Sequence, residues 1–313
     1  MKNNDFKLIM ISAMYENGGN TTHRLLDGHP QLYVYPFESQ PGTKYVNDYL
    51  ASLYPQKYRW PIFPNSISPK EAYDLIMDEE AKIRSKTPFV SKFRNTDFQM
   101  SDRDRLEAFL KIVRNRPLDR PTIIEAFFKA TFLAWKNHRK SGQERFYVGY
   151  SPIIGVDGDK IINDYRGNAF VIHVVRNPFS AYAETKKRPV PLSLAHYVTG
   201  WLMCQHHAKL FEAKFPRNFF VIRYETIIKN SKKTLGDILV KLGLKPSESL
   251  KTPSWNGEEL SEVYPWGTIR RPTGDANLRT ARELKKAEIE EIYLRTKDYV
   301  EAFHYADIYK VIR

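Results

Sequence analysis

Cysteine is nearly missing from this chain: Cys204 is the single one in 313 residues. That excludes an intramolecular disulfide and any cysteine-based zinc site. Long apolar runs are missing too. Nothing approaches the roughly 18 consecutive apolar residues of a membrane helix, so no membrane span is expected. The opening MKNNDFKLIMISAM carries only a short apolar stretch, at the lower limit for a signal-peptide core. YENGG follows with no small-residue cleavage pattern, so the stretch reads as a buried strand of a soluble, cytoplasmic protein. Gly/Ser linkers, low-complexity tracts and internal repeats are absent, and a single domain over residues 1–313 is the reading adopted. Two nucleotide fingerprints are absent as well. Without G-x-x-x-x-G-K-[ST] there is no lysine for β- and γ-phosphates and no magnesium hydroxyl beside it; without G-x-G-x-x-G there is no dinucleotide turn.

What the chain does have is an excess of positive charge. Lys and Arg number 49 against 36 Asp and Glu, a formal +13. Such a balance favours an anionic partner, although a merely solubilising surface would show the same charge. The basic residues are scattered and no RNA- or DNA-binding motif occurs, so nucleic acid is not the expected partner.

Apolar runs at Lys7–Ala13, Gln31–Tyr35, 169–176 (AFVIHVVR) and 219–225 (FFVIRYE) read as strands. Ser68-Pro69-Lys70-Glu71 opens a helix with a serine cap, a proline in the first turn and an acid three residues on. Helical patterns follow at about 101–114, 121–138, 191–214, 231–242 and 283–302. Strands that are apolar throughout, alternating with helices, predict an α/β fold: a doubly wound parallel sheet covered on both faces. The helices from about 69 to 140 read as an insertion on that core.

The chemistry begins at YENGGNTT (15–22). A strand running into a glycine turn and a helix N-terminus gathers backbone N–H groups at one point, and the helix dipole adds partial positive charge. Asn17, Gly18, Gly19, Asn20 and Thr21 are therefore candidates for holding a phosphate or sulfate. In an open parallel sheet ligands bind at the carboxyl ends of the strands. Arg176, ending its strand in VVRNP, belongs on the same rim, with Arg223 and Tyr224 at or near it. A bidentate guanidinium suits phosphate, so Arg176 is the candidate grip.

Three segments, in order, resemble the sulfotransferases that use 3′-phosphoadenosine 5′-phosphosulfate (PAPS). LIMISAMYENGGNTTHRLLDGHPQLYVYPFES is similar to the strand, 5′-phosphosulfate loop, helix and L-L-D-x-H-P signature of that family. VIHVVRNPFSAYAE resembles its 3′-phosphate segment, and VIRYETIIKNSKKTLGDILVKLGL its Tyr-Glu pair, helix and Leu-Gly-Leu end. The resemblance implies a P-loop nucleotide-kinase-like sheet and in-line transfer of a sulfuryl group from PAPS to a hydroxyl, releasing PAP, without a metal. By analogy with phosphoryl transfer, the protein positions the reactants and stabilises charge.

The same resemblance implies that Tyr224 lies near the adenosine and that WGTIRRPTGDAN (266–277) closes over the nucleotide, where Thr268, Arg270 and Arg271 would meet the 3′-phosphate. Glu38 falls close to the catalytic glutamate of the tyrosylprotein branch. Beside Phe37 and near Tyr35, it is the candidate base; the competing role is a surface carboxylate or a partner for a loop cation. His196 and His206 stand in reserve as bases. His29 and His173 read as structural.

Two departures stand out. Glu16 takes the place of the usual loop Lys or Arg, so a replacement is sought at Lys44, Lys92, Lys129 or Arg24. Glu184 takes the place of the usual serine, with Ser180 and Thr185 as the candidate substitutes. Tyr- and Trp-rich segments at 33–60 and 255–266 suit stacking on sugar or aromatic rings and do not separate carbohydrate from tyrosine or a small alcohol. The resemblance at Glu38 leans toward branches that include peptide and glycan enzymes, with a glycan or glycosylated metabolite the favoured acceptor and peptide tyrosine the other option. An ATP-dependent phosphotransferase and a non-catalytic nucleotide- or glycan-binding protein are the alternative functions.

Overall fold

The computed structural model describes residues 6–90, 96–260, 263–264, 267–268 and 274–313. Five parallel strands form the central sheet: β1 (Leu8–Ala13), β2 (Leu32–Val34), β3 (Phe146–Tyr150), β4 (Ala169–Val175) and β5 (Phe219–Arg223), in the order β2-β3-β1-β4-β5. β1 lies at the centre because all six of its residues, LIMISA, are buried. Only a strand covered on both faces tolerates such a run.

Helices fill the connections. α1 (Gly19–Leu26) follows β1. α2 (Pro69–Leu75), α3 (Glu79–Lys86), α4 (Asp102–Val113) and α5 (Arg120–Ala134) lie between β2 and β3. α6 (Gly158–Asp164) precedes β4; α7 (Pro178–Thr185) and α8 (Leu194–Lys214) precede β5. α9 (Tyr224–Lys229), α10 (Ser231–Lys241), α11 (Gly274–Ala281), α12 (Lys286–Ala302) and α13 (Ala306–Ile312) complete the chain, with two short hairpins before α11. Local chemistry sets the starts: Ser68 and Glu71 form a capping box on α2, Asn177 caps α7 ahead of Pro178, and Ser193 caps α8.

Alternation along β1 divides the core. Ile9, Ile11 and Ala13 pack with Leu25 and Leu26 of α1 and Leu235 and Leu239 of α10. Leu8 and Met10 face the other way, toward Phe127 and Phe128 of α5 and Ile161 of α6. The stretch expected as an insertion thus ends in a helix that covers a face of the sheet, while α2 and α4 pack outside it, Tyr73 against Phe109.

β3 was not anticipated. Gly149 interrupts its pattern, and glycine weakens a strand signal. A Cβ there would meet the Met10 sulfur at 2.8 Å and Phe128 at 2.8 Å, so close packing requires the glycine. The strand expected to run to residue 225 ends at Arg223, and Tyr224 opens α9.

The connection after β1 leads to β2 on one side of the sheet, and the one after β4 leads to β5 on the other. Between the carboxyl ends of β1 and β4 this leaves the crevice where doubly wound sheets bind ligands. Among the described residues, no helix is long and apolar enough to cross a membrane.

Candidate active site

The crevice is built on a loop whose backbone is held open. Asn17 N–H turns back to the Met14 carbonyl at 3.0 Å, and Glu16 and Gly18 take left-handed φ values of 60° and 90°. Gly18 caps α1 without any side-chain cap, and the first turn holds no acid. The first amides of a helix have no intrahelical acceptor. The first-turn N–H groups of Gly19, Asn20 and Thr21 are therefore available to a ligand.

Glycine is required twice here because two tyrosines press on the loop. A Cβ on Gly18 would lie 2.1 Å from the Tyr224 ring, and one on Gly19 would lie 2.4 Å from the Tyr150 ring. These rings come from just beyond β5 and from the end of β3, so neighbouring strands wall the turn. Burial raises the Tyr224 phenol above its ordinary pKa, with the Arg176 charge and a hydrogen bond to Thr21 pulling the other way.

Arg176 emerges beside Tyr224, since Val175 pairs with Arg223 in the sheet register. Its Nε donates to Asn277 Oδ1 at 2.7 Å and Nη1 to the Glu16 carbonyl at 2.8 Å, while the guanidinium lies 5.3 Å from the Tyr224 ring centre. Nη2 has no protein partner among the described residues. The arginine is thus fixed in place with one edge open. Behind it, Trp201 Nε1 donates to the Arg176 carbonyl at 3.3 Å.

Glu225 serves the frame. Its carboxylate accepts from Asn177 Nδ2, Asn277 Nδ2 and the Tyr305 hydroxyl, at 2.8, 3.1 and 2.8 Å. Asn277 of α11 thereby ties the C-terminal segment to the strand ends.

On the β3 side the loop carrying Glu38 is pinned to the sheet. Ser39 N–H donates to the Tyr150 carbonyl at 2.7 Å. Behind the loop, Asp78 accepts from the Tyr35 hydroxyl at 2.9 Å and from Arg105 Nη1 at 2.6 Å, all three fully buried. Gln40 Nε2 donates to Glu38 Oε2 at 3.1 Å, which leaves Oε1 free to accept elsewhere. Burial raises the pKa of Tyr15, Tyr58 and Tyr150, and the Glu38 charge adds to each. Glu16 is raised as well, first by desolvation, against the pull of Arg188 and Arg176. Glu38 and the Glu16 loop therefore share one electrostatic environment.

Several expectations change on contact with these contacts. Asn17 is fully buried and its amide is spent: Oδ1 accepts from Arg176 N–H at 2.9 Å, and Nδ2 donates to the Tyr15 carbonyl at 2.8 Å. It joins the loop to the end of β4 instead of facing a ligand. Ser180 Oγ donates to the Asn277 carbonyl at 2.7 Å and Thr185 Oγ1 to the Ala181 carbonyl at 2.9 Å, so neither hydroxyl donates to a phosphate. Glu184 accepts from Thr280 at 3.1 Å and pairs with Lys187.

Lys129 pairs with Glu125 and lies near Phe6, at the opposite end of the sheet. Arg24 is buried, donating to the Tyr35 carbonyl at 2.9 Å. Neither supplies the loop cation. Lys44 is exposed, beside Tyr45. Lys92, Arg270 and Arg271 lie outside the described residues. The backbone of Thr268 falls in a short hairpin with 263–264.

His173 bridges Ser12 Oγ at 3.2 Å and Gln205 Oε1 at 3.1 Å inside β4; burial lowers its pKa to about 4. His29 is a structural bridge, from Gln31 N–H to the Lys245 carbonyl. His196 reaches the Leu53 carbonyl and His206 the Tyr299 hydroxyl. The structure adds Arg188, Tyr150 and Asn277 to the candidate site. Asn277 closes the WGTIRRPTGDAN motif, whereas KKRP (186–189) around Arg188 looks like any exposed basic turn.

No family profile and no curated protein matches the chain. Among solved structures it is similar to the sulfotransferase domain from the curacin biosynthetic pathway: TM-score 0.51, 15% identity, covering 93% of this chain and 98% of that one. It is also similar to the sulfotransferase domain from the Synechococcus PCC 7002 olefin synthase, with TM-score 0.47, 16% identity and coverage of 90% and 96%. The first likeness decides the architecture. The chain has a sulfotransferase fold. Among the described residues no cluster of His, Cys, Asp and Glu could hold a metal ion.

Proposed function

We propose that this protein transfers a sulfuryl group from PAPS to a hydroxyl acceptor, with a glycan or glycosylated metabolite as the acceptor class to test first. The observation that carries the reading is the meeting, at one sheet end, of an uncapped helix N-terminus and an arginine with one open edge. These residues fit a nucleotide bearing phosphates at both ends. The amides of Gly19, Asn20 and Thr21 would hold the 5′-phosphosulfate, Arg176 the 3′-phosphate, and Tyr224 would flank the adenosine. When bound, PAPS supplies the activated sulfuryl group.

The chain's own work is then positional and electrostatic. Preorganised backbone N–H groups aimed at an anion cost no reorganisation as charge develops. Tyr150 and Tyr224, pressed against the two glycines, wall the turn that carries those amides. Glu38 Oε1 receives the proton of the acceptor hydroxyl, while Gln40 orients the carboxylate through Oε2. Trp201 and Asn17 hold Arg176 from its backbone.

Calorimetric titration with PAP, with ATP as control, tests the reading. Tight PAP binding with little ATP binding is expected, followed by turnover of labelled PAPS in an acceptor screen. Absence of PAP binding would remove the proposal. PAP binding without turnover on any hydroxyl acceptor would leave a nucleotide-binding protein on the same fold.

A further inference from the structure

The loop presents an acid where an anion is to be held, and among the described residues Lys129 and Arg24 are engaged elsewhere and Lys44 sits beside Tyr45. One residue outside that set does answer it. Arg188 follows α7 in a short turn closed by its N–H to the Thr185 carbonyl at 3.2 Å. Its guanidinium lies 4.8 Å from the Tyr15 ring centre, and its Nε is 4.0 Å from Glu16 Oε1. We infer that Arg188 is the cation that meets the 5′-phosphosulfate, replacing in space the basic residue that Glu16 displaces from the loop; this rests on the proposed PAPS site.

Three features separate this from an incidental surface pair. First, 4.0 Å is the outer limit of an ion pair and too long for a hydrogen bond. A guanidinium has five N–H donors, and among the described residues none of those of Arg188 donates to a protein atom. Second, the side chains are 37% and 40% exposed, and a pair of that kind contributes little to stability. Stability alone does not account for holding a long side chain over Tyr15.

Third, the guanidinium lies over an aromatic ring. An arginine laid on an aromatic face is partly preorganised and keeps its donors free for a planar or tetrahedral oxyanion. Glu16 itself is held from both sides: Arg176 Nη1 takes its carbonyl at 2.8 Å and Arg188 faces its carboxylate. The two arginines thus bracket the loop, one for each end of a bisphosphorylated nucleotide. Tyr15, beneath the Arg188 guanidinium, meets Tyr58 edge to face with ring centres 6.0 Å apart.

The test needs no acceptor. PAP and adenosine 3′-phosphate differ only by the 5′-phosphate, and both can be titrated calorimetrically into wild type, Arg188→Gln, Arg188→Lys and the double variant Glu16→Lys/Arg188→Gln. Circular dichroism and thermal melting would monitor folding. Arg188→Gln should weaken PAP about 10- to 100-fold, the range for a lost charge-assisted contact. Affinity for adenosine 3′-phosphate should stay within about twofold. Arg188→Lys should retain part of the PAP affinity, and the double variant should restore most of it by returning a cation to the loop.

Equal PAP affinity in wild type and Arg188→Gln would overturn the assignment while leaving the PAPS site standing. Equal losses for both nucleotides, or no recovery in the double variant, would also overturn it, since a structural role predicts that result. If wild type binds no PAP, the proposed function falls and this inference falls with it.

Discussion

At the scale of single residues the site separates groups that hold from groups that react. Glu38→Gln removes the carboxylate that takes the acceptor proton but keeps a side chain able to meet Gln40. Turnover should fall about 10²–10⁴-fold, the range for loss of a general base, with PAP affinity unchanged. Single-turnover rates beside calorimetric affinities would check this; a variant with unaltered turnover would remove Glu38 from the mechanism. Arg176→Ala should act in the opposite way. It deletes the open guanidinium edge and frees the Glu16 carbonyl and Asn277, so PAP should bind about 10- to 100-fold more weakly. Adenosine 3′-phosphate should weaken in parallel, because the contact assigned to Arg176 is with the 3′ group. An undiminished affinity would place that phosphate elsewhere.

At the scale of elements the loop and α1 stand or fall on Gly18. Its φ of 90° costs an L-residue about 1–2 kcal/mol, and an added methyl would lie 2.1 Å from the Tyr224 ring. Gly18→Ala should therefore lower the unfolding free energy by at least about 1–2 kcal/mol in urea titrations and weaken PAP. Gly18→Ala/Tyr224→Ala should lose less stability than the two single variants summed, because the ring that the methyl meets is then gone while the backbone strain remains. Much of this element was legible in the sequence: NGG after an apolar run specified a turn with free amides, and VVRNP placed Arg176 at a strand end. Other parts were not legible, for physical reasons. β3 hid behind Gly149, whose role is to admit Met10 and Phe128. Asn17 looked like a ligand donor because an amide's destination depends on distant partners, here the Arg176 N–H. Arg188 lies far along the chain from Glu16, and local sequence carries no sign of a contact made only when α7 packs beside the loop.

For the whole molecule, buried histidines are expected to set the loss of stability in acid. Burial lowers His138 and His173 to about 4, and burial followed by the Arg24 charge lowers His23 well below its usual value. In the unfolded chain each titrates near 6.5. Between these values the unfolded state binds protons that the folded state refuses, so unfolding becomes more favourable as pH falls from about 6.5 toward 4. For His173, 1% exposed and bonded to Ser12 and Gln205, the shift corresponds to a loss on the order of 3 kcal/mol across that window. Asp157 works in a lower window. Burial opposes its ionisation, but hydrogen bonds and charge from Arg59 and Lys160 hold its pKa below the usual value. Its contribution is present above the unfolded carboxylate value near 3.9 and is lost only as pH falls below it. The two origins are separable by urea midpoints measured from pH 7.5 to 3.5. A decline that begins near pH 6 belongs to the histidines, and His173→Gln should reduce its slope by removing one titrating group while keeping an amide between Ser12 and Gln205. A plateau to pH 4.5 followed by a sharp fall would assign the acid limit to Asp157 and its ion pairs instead.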